Sequence, residues 1–232
     1  MRSQKSYEKA FAAARTLPLF SSLTQRQMDY LFENAEVKIL TPRQMAYQEG
    51  KVADHVFIVI YGGIKVLNKV DGQNVVYDFL PRGGLAGFLY FLNRERRFLF
   101  TGVALEHTAL LAIPRQVYEA LQKENNSFNQ KTFELLNIFV QQLTRDHINA
   151  TKKVPARVAG ALVALYDRQQ SESTTILFGL SKQDIAERVR AKAETVIRCC
   201  SAWEKMGIIE TRGRTFEIKK VDELRKIAQA QD

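Results

Sequence analysis

The stretch Leu180-Ser181-Lys182-Gln183-Asp184-Ile185-Ala186-Glu187-Arg188-Val189, the break Arg190-Ala191-Lys192, and the run from Ala193-Glu194-Thr195-Val196-Ile197-Arg198 on to Met206 decide how this chain folds. Ser181 is a good N-cap, and Ile185 and Val189 fall on one face of the helix it opens. A second helix follows the three-residue break. On it Val196, Cys200 and Trp203 point inward, while Thr195, Arg198 and Ala202 point away. Two short helices joined by a tight turn predict a helix-turn-helix, the second helix being the one that enters a DNA major groove. Gly207 ends that helix. The next residues, Ile208 to Ile218, alternate apolar and polar around Arg212-Gly213-Arg214. That pattern predicts a β-hairpin wing with two arginines at its tip, placed to touch phosphates.

The charge fits that reading. The chain has 232 residues with Lys plus Arg 34 against Asp plus Glu 25, a net charge of +9. The last third, from Lys152 to Asp232, carries 16 bases and 11 acids. Such a balance suits a polyanionic partner but does not by itself specify a fold. Hydrophobic residues make up 46% and charged residues 25%, the composition of a globular protein. No apolar run is long enough to span a bilayer, and Met1-Arg2-Ser3-Gln4-Lys5-Ser6-Tyr7-Glu8 lacks the apolar core of a signal peptide. The two cysteines, Cys199 and Cys200, are adjacent and cannot join distant parts of the chain. A cytoplasmic location and no membrane partner are therefore expected.

Upstream of the basic third the pattern changes twice. A helix is expected over Tyr7 to Thr16; Pro18 breaks it, and Thr24 caps a second through Met28, Leu31 and Phe32. Short β-branched and aromatic runs follow at 37–40, 56–60, 64–67, 75–80 and 110–113. Glu49-Gly50, Gly62-Gly63, Asp71-Gly72 and Pro81-Arg82-Gly83-Gly84 separate them, as in an antiparallel sandwich or barrel. A short helix is expected over Gln116 to Gln122. The stretch Phe128 to Lys152 then has no Gly or Pro. Its Phe133, Leu136, Val140, Leu143, His147 and Ala150 recur at steps of three and four, a coiled-coil seam. A second apolar edge, Leu135, Ile138 and Phe139, is expected to pack back on the sheet. Two apolar edges need two partners, so this helix reads as both domain spine and dimer seam. A helix is expected again over Arg157 to Asp167, then a polar loop over Asp167 to Thr175.

The whole chain resembles the CRP/FNR family of bacterial transcription regulators. Ala193-Glu194-Thr195-Val196-Ile197-Arg198 matches four of the five specified positions of the Arg-Glu-Thr-Val-x-Arg start common in that family's recognition helix. The resemblance implies an α+β fold in three parts. These are an antiparallel β jelly-roll sensor domain over 1–125, a long dimerisation α-helix with its hinge over 126–153, and a winged helix-turn-helix over 154–232. It also implies base contacts from Glu194 to a cytosine amino group and from Arg198 to a guanine, with Thr195 on phosphate. Lys182, Lys192, Ala193, Ser201, Arg212 and Arg214 complete the expected DNA-binding set. The chain departs from the pattern twice. Ala193 replaces the usual arginine or serine, removing one base contact. Arg190 stands where the turn often has glycine, so the turn is either strained or differently built. Cys199 and Cys200 read as small core residues.

The sensor part departs further. Relatives that bind cyclic nucleotides carry Gly-Glu-Leu and then Arg-Ser. Here Phe88 in Gly87-Phe88-Leu89 stands at the glutamate position, and Phe98-Leu99 stands where Arg-Ser would be, with Arg97 one residue early. An aromatic ring cannot accept a ribose hydroxyl, so cyclic AMP is not expected to bind in the usual manner. Gly87, Phe88, Leu89, Arg97 and Phe98 are the candidate effector pocket, and three occupants remain open. One is a carboxylate, because the run resembles the 2-oxoglutarate-sensing members, although Arg145 lies too far along the long helix to help. Another is an apolar ligand among Phe88, Tyr90, Phe91, Phe98 and Phe100. The third is no ligand, the pocket being filled by its own aromatic core. The cofactor is therefore unknown. A [4Fe–4S] cluster is excluded by the cysteine count, no metal site is expected, and His55, His107 and His147 are scattered.

The reading that follows is a homodimeric regulator binding an inverted repeat in double-stranded DNA, with RNA polymerase as a further partner implied by the resemblance. The alternative is an effector-sensing protein whose output is a protein–protein contact. An enzyme is not expected: the sequence holds no Ser-His-Asp spacing, P-loop, GxGxxG or metal-ligand cluster.

Overall fold

In the computed structural model, residues 2–92, 94–168, 175 and 179–230 are described. The chain divides into two units. The first comprises Met1–Val66 and Leu80–Gln141, and the second Leu67–Phe79 and Gln142–Asp232.

The strands are β1 (Glu36–Leu40), β2 (Met45–Tyr47), β3 (His55–Tyr61), β4 (Ile64–Val70), β5 (Gln73–Leu80), β6 (Leu85–Ala86), β7 (Thr101–Ala104) and β8 (Thr108–Pro114). They form two four-stranded sheets, β1-β8-β3-β6 and β2-β7-β4-β5: a sandwich, as the many short apolar runs predict, and the double-sheet jelly roll that the resemblance implies. The β1–β8, β3–β8 and β2–β7 pairs are antiparallel. β3 and β8 are buried almost throughout because they lie at the centre of their sheet with helices against it, which is why both read as unbroken apolar runs. The covering helices are α1 (Arg2–Arg15), α2 (Gln25–Asn34) and α3 (Arg115–Glu124). Thr24 caps α2, as the sequence predicts, and the structure adds a reciprocal Gln27 bond. The core of the first unit runs from Ala14 and Phe20 through Ile58, Ile60 and Leu111 to Tyr118 and Phe128. The Tyr118 hydroxyl, which would be costly there alone, lies 2.7 Å from Thr132 Oγ1.

The long helix α4 spans Asn126–Asn149, beginning two residues earlier and ending three earlier than the sequence suggests. Its second edge divides. Leu135 and Phe139 pack on the first unit's core, joined by Leu136 of the expected seam, whereas Ile138 stays exposed. Phe133 and Val140 are at least half exposed, and His147 and Ala150 are exposed too. Leu143 is half-buried.

The second unit holds α5 (Val154–Arg168), α6 (Lys182–Val189), α7 (Ala193–Lys205), the hairpin β9 (Ile209–Arg212) and β10 (Thr215–Ile218), and α8 (Val221–Gln229). Pro155 sits in the first turn of α5, where no backbone donor is missed. Val158, Leu162 and Leu165 of α5, Ile185 and Val189 of α6, Val196 and Trp203 of α7, Phe216 of β10 and Leu224 of α8 make its core. The polar loop expected after Asp167 lies largely outside the described residues; Thr175 bridges to Glu217.

Candidate nucleic-acid interface

The α6–α7 pair is built by local chemistry. Ser181 Oγ accepts the Asp184 backbone N–H at 3.0 Å, and Asp184 Oδ2 accepts the Ser181 N–H at 2.9 Å. This reciprocal cap stabilises the start of α6 by about 1 kcal/mol. α6 closes at Arg190, whose φ of 51° and ψ of 52° are left-handed. The N–H groups of Arg190 and Ala191 both donate to the Ala186 carbonyl. The turn therefore has the backbone that glycine usually supplies, held here by a residue with a Cβ.

On α7, Val196, Cys199, Cys200 and Trp203 are buried. The opposite face presents Glu194, Ile197, Arg198 and Ala202, with Ser201 and Thr195 half-buried and Ala193 partly covered at the first position. Lys192 is the exposed N-cap and offers no side-chain cap; Lys182 opens α6, half-buried. Burial pushes the Cys200 thiol up to about 11, and the Cys199 thiol is raised for the same reason. Both are buried, as expected of small core residues.

The wing pairs Arg212 with Thr215 across Gly213, whose φ is 62°. Arg212 is largely exposed and donates to Glu210 at 2.7 Å. Arg214 is also exposed but engaged: it donates to the Gly179 carbonyl at 2.9 Å and to Asp184 Oδ2 at 3.2 Å. Its own carbonyl accepts from Leu180 N–H. One arginine thus staples the wing to the cap of α6, a link that sequence spacing does not reveal. Thr211 donates to Glu204, tying β9 to the end of α7.

Two partly buried ion pairs also belong to this unit. Arg188, with 9% of its side chain exposed, meets Asp146 at 2.5 Å, and Gln142 donates to the same carboxylate at 3.0 Å. Burial pushes the Asp146 carboxyl up, while Arg188 and Gln142 oppose that rise. Arg168 meets the buried Asp78 at 2.5 Å. Asn74 donates to Glu187 at 3.4 Å. The partners lie 42 to 113 residues apart, so no local pattern announces them.

In the first unit, Gly87 (φ 73°) precedes a 3-10 segment, Phe88–Leu92, in which Phe88 and Leu89 are buried. A Cβ on Gly87 would stand 2.9 Å from the Phe98 ring. Phe98 packs on Tyr47, with centroids 4.8 Å apart, and Tyr47 stacks on Phe57 at 5.5 Å. Gly102 passes directly against the Tyr47 ring. Tyr47 and Phe57 are residues the sequence reading missed; only the absence of a side chain at Gly102 hinted at them. Arg97 sits beside this stack, donating to Glu95 at 2.6 Å and to the Gly50 carbonyl at 2.8 Å. The side chain of Phe91 lies outside the described residues. Among the described residues no group of three or more His, Cys, Asp or Glu is placed to hold a metal, and no helix is long and apolar enough to cross a membrane.

Comparison with known proteins agrees with both halves. Residues 37–125 match the family profile of the cyclic nucleotide-binding domain, and residues 156–227 that of the Crp-like helix-turn-helix domain. The chain is 24% identical over 190 residues to a CRP-like cAMP-activated global transcriptional regulator of Mycobacterium tuberculosis, covering 78% of this chain and 83% of the relative. FixK2 from Bradyrhizobium japonicum has the same fold, with a TM-score of 0.74 at 19% identity, over 85% of this chain and 99% of its own. So does TTHB099, a CRP-family transcriptional regulator from Thermus thermophilus, with a TM-score of 0.66 at 16% identity, over 83% and 97%. A double-sheet jelly roll and a capped helix-turn-helix with its wing, each matched by its own profile and joined by a long helix, make this chain a member of the CRP/FNR family of transcription regulators.

Proposed function

We propose that the chain acts as a homodimer that reads an inverted repeat in double-stranded DNA, with no need for cyclic AMP bound in the usual manner. The observation that carries this is the divided surface of α7: four side chains anchor one face in the core, and Glu194 and Arg198 project from the other. Glu194 accepts from a cytosine amino group and Arg198 pairs with a guanine, each good pair giving about 1–3 kcal/mol of discrimination. Lys182, Lys192, Thr195, Ser201 and Arg212 position the helix on phosphates, with Ala193 leaving one base unread. Arg214 serves the same surface by holding the wing.

The work is divided among a sensor domain over 1–125, a dimerisation helix and hinge over 126–153, and a DNA-binding domain over 154–232. Dimerisation draws on the α4 seam, where Phe133 and Val140 are left uncovered by the first unit. Two recognition helices then read half-sites about 34 Å apart. The Tyr47–Phe57–Phe98 stack supports a sensor pocket filled by its own rings, and the Arg97 contacts with Glu95 and Gly50 support its not serving as an anion clamp. The protein works in the cytoplasm with RNA polymerase as its downstream partner.

The test is selection from a random duplex pool by the purified protein without added effector. Enrichment of an inverted repeat is expected, with one degenerate position per half-site at Ala193. Salt-sensitive retention without sequence preference, unchanged by cyclic nucleotides or 2-oxoglutarate, would overturn the reading.

A further inference from the structure

Ile197 is 45% exposed on α7, on the face that also carries Glu194 and Arg198. A single exposed apolar side chain needs no explanation on an ordinary surface. Its position is what matters. Ile197 lies three residues after Glu194 and directly before Arg198, so at 3.6 residues per turn the three share one face. A helix that brings both charged groups to base edges brings the branched Ile197 side chain into the groove with them.

Isoleucine can neither donate nor accept a hydrogen bond. Over a cytosine amino group, an adenine amino group or the guanine acceptors, it would strip water and offer nothing in return. The one apolar group that an unmodified major groove displays is the C5-methyl of thymine. Ala193, at the start of the same helix, brings no polar group to that face. We infer that Ile197 is a specificity-determining residue that selects a thymine in each half-site through its methyl group, next to the base pair read by Arg198. The inference rests on the DNA-reading function proposed above and goes beyond it, since a missing contact at Ala193 predicts only degeneracy.

The experiment uses the repeat recovered from the random pool. Each thymine of the half-site is replaced, symmetrically, by deoxyuridine, which pairs identically and lacks only the methyl. Affinities of the full-length protein and of Ile197→Ala are then compared on every duplex. One thymine per half-site is expected to be sensitive. Losing one buried methyl weakens binding about fourfold at each half-site, and about fifteenfold for both together. Ile197→Ala is expected to bind the thymine and deoxyuridine duplexes within about twofold of each other, while Ile197→Val keeps most of the difference. A repeat with no thymine in its half-site, a repeat indifferent to every deoxyuridine, or a sensitivity that Ile197→Ala leaves intact would overturn the Ile197 assignment and leave the regulator standing. Failure to recover any repeat would overturn both.

Discussion

Replacing Arg190 by glycine should stabilise the DNA-binding unit, because the turn between α6 and α7 holds a left-handed backbone at a residue with a Cβ. A non-glycine residue in that region costs about 1–2 kcal/mol. Glycine removes the cost but adds freedom to the unfolded chain, which takes back about 0.4–1 kcal/mol. The net expectation is a gain of about 0.5–1 kcal/mol, or about 2–8 °C in Tm for a unit of this size. Among the described residues no side-chain bond of Arg190 is lost to offset it: Arg190 is exposed, and the bonds that close the turn on Ala186 are made by the backbone of Arg190 and Ala191. Trp203, the single tryptophan, is buried in the same unit and reports its unfolding by fluorescence in urea. Arg190→Ala is the control, keeping the strain while removing the side chain, and should change stability by less than about 0.5 kcal/mol. A glycine variant no more stable than wild type would refute the strain argument. An alanine variant that gains as much as glycine would place the cost in the side chain.

Arg198→Ala should lose about 1–3 kcal/mol at each half-site and relax preference at one base pair, while salt-dependent binding to unrelated DNA stays nearly unchanged. Competition titrations against single-base variants read this directly; uniform weakening across all sequences would make Arg198 a phosphate contact. Asp146 predicts a pH dependence. Burial raises its pKa above the ordinary 3.8, so the folded state binds more protons than the unfolded state. Its contribution to stability therefore falls as pH climbs from about 4 through the raised value, then levels off. Urea titrations should show wild type losing ground to Asp146→Asn over that rise; a trend of opposite sign would mean that Arg188 outweighs burial. With the Cys200 thiol at about 11, alkylation by iodoacetamide near neutral pH should be about a hundredfold slower than for an ordinary thiol, by mass spectrometry. Rapid labelling of folded protein would contradict its burial.

What the sequence disclosed, and what it hid, follows from the range of the interactions. The capped α6, the inward face of α7 and the wing around Gly213 are specified within a few residues, so spacing alone reveals them. The strands Met45–Tyr47 and Thr101–Ala104 are too short for alternation to register, and they pair through a register shift that places Gly102 under a ring 55 positions away. α8 escaped notice because its nine residues bury only Leu224 fully and follow a strand without a capping side chain. Arg214 illustrates the same limit at a functional position. An arginine at a hairpin tip reads as a phosphate ligand from its spacing alone, and its bond to the buried Asp184 becomes visible only in the fold. Ile138 was misplaced because a heptad count cannot tell which of two apolar edges the core has room for.

The assignment of residues 67–79 to the second unit gives the winged helix an unusual genetic footprint. A cassette cut at Val154 for exchange between regulators would carry Arg168 and Arg188 away from Asp78 and Asp146; the deserted Asp78, 5% exposed, costs about 3–5 kcal/mol, and Asp146, 33% exposed, costs less. Chimeras should therefore inherit a weakened DNA-binding half unless the donor's 67–79 and 142–149 travel with it. A screen for mutants that lose operator binding should likewise return changes at Asp78, far upstream of the helix that reads bases, alongside the expected hits at Glu194 and Arg198.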